Sequence, residues 1–250
     1  MKKKSLAAIL LSTAVITLAG CSNSADINKL TPTDSKLAVM WMQNSGEFDA
    51  LSYQAFNDAK MAFLKNKVRG KNAVIVDLDE TMINNSKYAA WQVEHHQPYW
   101  SESWERWCEA REATAIPGAV DFAKFVVAHG GDIFYISNRS QKSYQATFDN
   151  LKALGFPQVD KQHLILRTNT SDKAARVKSV IDQGYHIALM VGDNLDDFGS
   201  DVYHKSNQER AAFVKAHKNN YGTKWIIIPN PTYGSFTRAK DLTLHPWNGK

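Results

Sequence analysis

The chain has 250 residues, 44% of them hydrophobic and 22% charged, with a formal net charge of +5. That length supports one substantial core with at most a small appendage, and the composition excludes wholesale disorder. Neither an internal repeat nor a low-complexity tract interrupts it.

The first twenty residues stand apart. Lys2, Lys3 and Lys4 form a basic start, Leu6 to Leu18 is apolar but for Ser12, Thr13 and Thr17, and small residues precede Cys21. This is the pattern of an export signal, too short for a mature transmembrane helix. The ending Leu18-Ala19-Gly20-Cys21 resembles the bacterial lipobox, which implies a lipidated Cys21 as the new N-terminus, and Ser22 after it suggests the outer membrane. An ordinary secretory signal that happens to end beside a cysteine is the weaker alternative. Several acyl chains, as such lipoproteins carry, give stable anchoring to the membrane. Removal of residues 1–20 leaves 27 basic against 25 acidic side chains, a charge of +2. So balanced a chain gives little ground for binding a nucleic acid polymer. Cys108 is then the one cysteine besides the anchor, which excludes an intrachain disulfide and points to a packing role.

Residues 21–33 read as a polar tether, and the folded domain is expected over 34–250. Thr33 or Asp34 is placed to cap a helix carrying Leu37, Val39, Met40 and Trp41. After Ser45-Gly46 a second helix runs to about Val68, with Leu51, Ala55, Ala59, Ala62 and Phe63 near one face and Gly70 as its stop. Strands then alternate with helices. The strands are expected at about 73–77, 132–137, 163–166, 186–192 and 224–228. The helices are expected at about 118–129, 140–154, 171–183 and 207–216. Near-continuous apolar strands suit a parallel sheet covered on both faces. Gly130-Gly131, Gly155 and Gly184 fall where a left-handed helix cap is needed. Together these predict an α/β fold, a doubly wound Rossmann-like parallel sheet. Residues 82–117, rich in tryptophan, are too long for a plain crossover and read as a small, mainly helical cap.

Polar residues follow three of the strands. Val74-Ile75-Val76 leads into Asp77-Leu78-Asp79, Ile133 to Ile136 into Ser137-Asn138-Arg139, and Ala188 to Val191 into Gly192-Asp193 with Asp196-Asp197 beyond. In open parallel sheets the ligand crevice lies outside the carboxyl ends of the strands. Solvated loop starts explain any one of these well and all three poorly. Two unit charges at about 4 Å repel by roughly 4 kcal/mol at an effective dielectric of about 20. Gathering Asp77, Asp79, Asp193 and Asp197 therefore calls for a cation, and oxygen-only ligands favour a hard one such as Mg²⁺. A phosphate beside it would need a lysine, and Lys173, near the start of a helix, is the strongest candidate. Backbone amides and the Ser137 hydroxyl can hold further oxygens.

Asp77-Leu78-Asp79-Glu80-Thr81, Ser137-Asn138-Arg139, Lys173 and Gly192-Asp193 with Asp197 resemble, in order, the four signatures of the haloacid-dehalogenase-like (HAD-like) phosphohydrolases. With the lipobox and the ending Ile226 to Phe236, the chain is similar to the class C acid phosphatases, outer-membrane lipoproteins with 5′-nucleotidase activity. The resemblance implies Asp77 as nucleophile and Asp79 as proton donor and acceptor, protonated in the substrate complex, which suits an acidic optimum. It implies Mg²⁺ on the Asp77 side chain, the Asp79 carbonyl and Asp193, with Asp197 orienting ligands or bonding through water. Ser137, Asn138 and Lys173 would hold the phosphoryl oxygens. Trp104 and Tyr233 resemble the pair that sandwiches a nucleotide base, implying a broad range of 5′-nucleotides, NMN included, and aryl phosphates. It further suggests a homodimer. A second aspartate at 79 favours phosphate chemistry over carbon–halogen cleavage. Arg139 is open between phosphate contact and pairing with a neighbour.

Weaker signals read as structure. Trp100, Trp104 and Trp107 share a helix face and suit cap packing for at least two of them. His95-His96 point apart, and the Asn84-Asn85-Ser86 sequon carries little meaning on a bacterial-looking chain. The rival functions are a phosphotransferase using the same site and a surface lipoprotein that captures a ligand, such as haem or a host partner.

Overall fold

The computed structural model describes residues 30–247 and 249; the expected signal, Cys21 and all but the end of the tether lie outside the described residues. A five-stranded sheet runs through the centre. Its strands are β1 (Asn72–Val76), β4 (Asp132–Ser140), β5 (Leu164–Arg167), β6 (His186–Gly192) and β7 (Trp225–Ile227). They lie in the order β5-β4-β1-β6-β7, every pair parallel. Two short strands, β2 (Ile83–Asn84) and β3 (Thr114–Ala115), form a separate antiparallel pair. The expected doubly wound sheet is what forms.

Alternation along the strands explains the two layers. Val74, Val76, Ile133, Tyr135, Val191 and Ile226 turn to one face, into the larger core. Helices α2 (Gly46–Asn66), α5 (Ala119–Ala128) and α6 (Tyr144–Ala153) supply Phe56, Phe63, Phe122 and Leu151 to it. Ala73, Ile75, Phe134 and Ile136 turn the other way, against Val180 of α7 (Ala174–Asp182) and Tyr185. Strands buried on both faces need apolar residues at nearly every position, and β1 is buried throughout. Gly130, Gly155 and Gly184 have φ of 78°, 85° and 84°, the left-handed caps expected of them. Gly131 serves differently, since a Cβ there would lie 2.5 Å from the Phe63 ring.

Helix starts differ from expectation in detail. Thr31 and Asp34 form the first capping box, ahead of α1 (Lys36–Asn44). Helix α2 begins at Gly46, where the Ser45 hydroxyl accepts from Phe48 N at 3.1 Å. Its buried stripe is Phe48, Ser52, Phe56, Ala59, Ala62 and Phe63. Leu51, expected on that stripe, is 42% exposed. Three phenylalanines bury more apolar area than a leucine and set the helix's rotation. The helix ends at Asn66, with Gly70 in the turn beyond it.

Residues 82–117 hold α3 (Ser86–Glu94) and α4 (Ser101–Ala110) between β2 and β3, the mainly helical excursion expected. Tyr88 stacks on Trp91 and meets Trp104 edge-on, and Trp91 meets Trp100. His95 stacks on Trp91 with its Nδ1 at 2.9 Å from the Trp91 carbonyl, a structural role. Cys108 is buried, and burial raises its thiol to about 11, so it is inert packing. The remaining helix, α8 (Asn207–Ala216), stacks Phe213 on Trp225 of β7. Among the described residues no helix is long and apolar enough to cross a membrane.

Candidate active site

The carboxyl ends of β1, β4 and β6 meet at one rim, as parallel strands of matched register must. Asp77 directly follows β1, Ser137 and Asn138 lie at the end of β4, and Asp193 directly follows β6. Carboxylate oxygens of Asp77, Asp193 and Asp197 come within 4.8 Å of one another. Lys173, just ahead of α7, reaches into the same place from a fourth loop. Its Nζ donates to Asp77 Oδ1 and lies 2.8 Å from Asp197 Oδ1. Lys173 is 5% exposed, so both ion pairs are made in a site of low dielectric.

The supply of donors is uneven. Asp193 accepts from Thr81 Oγ1 at 3.0 Å and from Asn230 Nδ2 at 2.8 Å. Asp197 has one oxygen on Lys173 and the other on the Asn194 amide at 3.0 Å, within a capping box on a short 3₁₀ turn. Gly192 makes that position available, because a Cβ there would collide with the Asp197 carboxylate. Asp77 has one oxygen on Lys173, and its Oδ2 receives no hydrogen bond from the described residues. Two of the three carboxylates thus share one ammonium, and Asp193 has only neutral donors. Burial pushes Asp77 up to about 7, with Lys173 acting against the shift and Asp197 and Asp79 adding to it. Burial also holds Asp193 well above the usual carboxylate range, helped by Asp197 and Asp77. Lys173 is lowered by burial but held above its ordinary value overall by Asp197 and Asp77. Burial leads the shifts of Asp77 and Asp193, and the neighbouring carboxylates add to both. A hard divalent cation fits this oxygen-only donor set, with Asp77 and Asp193 as side chains able to hold it and Asp197 tied into orienting Lys173.

Asp79, two residues on, is held in a different network. Arg139, fully buried at the end of β4, places Nε 2.9 Å and Nη2 2.8 Å from Asp79 Oδ1. Asn85 Nδ2 donates to the same oxygen at 3.0 Å. Asp79 Oδ2 faces the Ser137 hydroxyl at 3.4 Å. Arg139 therefore pairs with a neighbour, one of the two roles open to it. Its guanidinium lies 5.5 Å from the centre of the Trp104 ring, and Trp107 Nε1 donates to Asn85 Oδ1 at 2.8 Å. The cap is thereby tied to Asp79 through two polar groups.

Tyr233 comes from the C-terminal loop. The residue is 43% exposed while its hydroxyl donates to Glu80 Oε2. Glu80 is buried, with φ of 61°, and its other oxygen accepts from Asn85 N at 2.8 Å. Burial, then the charge of Asp79, raises Glu80 to about 7. Trp104 and Tyr233 thus reach the acidic loop separately, one over Arg139 and the other on Glu80. A cavity of about 200 Å³ beside Tyr233 is lined also by Asp193, Asn230 and Phe236. The larger cavity, about 430 Å³ between α1 and α3, lies away from the carboxylates, so charge and not size marks the site.

Sequence reasoning passed over Asn85 and Glu80. The first was visible as part of a sequon, and the second stands inside the acidic signature; neither carries a pattern that names its partner.

A family model described as HAD superfamily, subfamily IIIB (acid phosphatase), matches residues 7–236. The fold is similar to the class C acid phosphatase from Bacillus anthracis, with TM-score 0.77 and 36% identity over 82% of this chain and 87% of that one. The same holds for that protein's structure with tungstate bound. Acid phosphatase 1 of Solanum lycopersicum is 27% identical over 168 residues, 64% of either chain. Vegetative storage protein 1 of Arabidopsis thaliana is 31% identical over 161 residues, 60% of this chain and 56% of that protein. The chain thus spans less than two thirds of the length of these curated relatives.

Proposed function

The chain belongs to the HAD superfamily, subfamily IIIB acid phosphatases, and from that premise we propose that it is a Mg²⁺-dependent phosphomonoesterase acting through an aspartyl-phosphate. One observation carries the reading. Lys173 bridges Asp77 and Asp197, with Asp193 beside them and more negative charge than the ammonium offsets. Such a place suits a divalent cation and a phosphoryl group together. Tungstate, the tetrahedral oxyanion bound to the Bacillus anthracis relative, is a chemical match for phosphate.

The chain's own residues divide the work. An Asp77 carboxylate oxygen attacks phosphorus in line, forming the Asp77–phosphorus bond as the ester bond breaks. Asp79 gives its proton to the departing alkoxide oxygen. Arg139 and Asn85 hold Asp79 Oδ1, so Oδ2 is the oxygen that carries that proton. Asp79 then takes a proton from water, which attacks phosphorus and returns the Asp77 carboxylate with inorganic phosphate. Lys173, Ser137 and Asn138 hold the phosphoryl oxygens. Asp77, Asp193 and the Asp79 carbonyl would hold Mg²⁺, which when bound would supply Lewis-acid stabilisation of the phosphoryl charge.

The rings of half-exposed Tyr233 and of Trp104 suit stacking against an aromatic group, a mode tolerant of base identity. We take 5′-nucleotides, NMN among them, and aryl phosphates as the substrate class. The lipobox-like residues 18–21 support a chain anchored to the outer membrane through Cys21, and a homodimer is the expected assembly. Purified protein with Mg²⁺ should release phosphate from p-nitrophenyl phosphate and nucleoside monophosphates. Turnover that survives Asp77→Asn would sink the mechanism.

A further inference from the structure

Arg176 stands in the first turn of α7, three residues after Lys173 and so one turn further along. Its guanidinium touches two loops remote in sequence. Nη1 donates to the Ser137 carbonyl at 2.6 Å and Nη2 to Asn138 Oδ1 at 2.6 Å. Nη2 also lies 3.4 Å from the Ser171 carbonyl and 3.3 Å from that of Asp172. One rigid fork thus spans the end of β4 and the loop that delivers Lys173.

The bond to Asn138 has a chemical consequence. A primary amide presents an acceptor on one side and a donor on the other. With Oδ1 engaged by a cation, the amide cannot turn over without setting Nδ2 against a guanidinium. Nδ2 makes no hydrogen bond to the described residues, and Asn138 is exposed at the rim. A phosphoryl oxygen accepts and never donates, so only this orientation of Asn138 serves one.

We propose that Arg176 is a positioning residue that locks the Asn138 amide donor-outward and sets the spacing between Asn138 and Lys173, making one oxyanion cradle from two loops. The inference rests on the proposed phosphatase site but concerns a residue that contacts neither phosphorus nor metal. It predicts that Arg176 acts through Asn138, which a general stabilising role does not.

The test is a double-mutant cycle read by tungstate affinity in the presence of Mg²⁺, using calorimetry on the mature chain. Arg176→Met should weaken tungstate binding by about tenfold or more and raise KM for p-nitrophenyl phosphate more than it lowers kcat. Arg176→Lys, a point charge without the fork, should recover part of that loss. In an Asn138→Ala background the same Arg176→Met change should cost less than about threefold. Equal losses in both backgrounds, or unchanged affinity in Arg176→Met, would overturn the proposal. If Arg176→Met does not fold, Arg176→Lys carries the cycle and is judged by the same inequality. Tungstate binding without hydrolysis by the parent protein would defeat the phosphatase reading and leave the cycle readable. Absence of tungstate binding by the parent would defeat the cradle itself.

Discussion

The two ends of the central sheet both bury polar side chains, but they balance them differently. At the amino end, Asn72 closes its own turn, accepting from Val68 N at 2.8 Å and donating to the Val68 and Gly70 carbonyls. Asp132 accepts from Gln158 Nε2 and Tyr185 Oη, each at 2.6 Å. Asn72 and Asp132 thus each find their match inside the chain. At the carboxyl end, three carboxylates crowd one lysine and two of them are driven far from their ordinary ionisation. Burial of polarity by itself therefore says little about function. A deficit of matching charge does, because a fold retains such a deficit only where something else supplies the balance.

The largest contrast between the two ends should come from removing a carboxylate. Asp77→Asn should cut kcat/KM for p-nitrophenyl phosphate by more than about a thousandfold while keeping the circular dichroism of the parent. EDTA should silence the parent protein to a similar degree, with Mg²⁺ restoring the rate on titration. Lys173→Met strands two buried carboxylates, so urea unfolding at neutral pH should show a loss of about 3–5 kcal/mol, smaller in acid where those groups take up protons.

The pH dependence comes from Asp77 and Glu80. Their ordinary values of 3.8 and 4.5 rise to about 7 in the fold through burial. The native state then holds protons that the unfolded chain has released, so their stabilising contribution is full at low pH and lost as pH climbs through about 7. Melting in EDTA should give a lower Tm near pH 7.5 than near pH 5, and Mg²⁺ should recover more at the higher pH. A flat profile in EDTA would remove the charge deficit from the account. The smallest effect belongs to the amino end. Asp132→Ala should cost about 1–3 kcal/mol by leaving Tyr185 and Gln158 without their acceptor, with kcat/KM within about twofold of the parent.

The sheet and the rim were legible because their signals are local. A run such as Val74-Ile75-Val76 is buried on both faces by its composition alone, and the residues just past a parallel strand have only one rim to occupy. Asp77, Asp193, Asp197 and Lys173 met there as expected. Leu51 was misplaced because periodicity marks a stripe but not which of two neighbouring stripes wins, and Phe48 and Phe56 outweighed it. The pairing of Arg139 with Asp79 and of Tyr233 with Glu80 was not legible, since contacts 60 and 153 residues apart leave no pattern in either segment. Arg176 did carry a faint signal, its place one helical turn from Lys173.

The junction at Asn85 has a consequence for how this protein can change. Trp107 grips one atom of that amide, Asp79 takes the other, and Arg139 joins both while lying across Trp104. On the proposed mechanism, the surface that meets the departing group is therefore mechanically continuous with the acid that must protonate it. Drift in the tryptophans to admit a new leaving group would disturb proton delivery at the same stroke, so selectivity and turnover here are not independent traits.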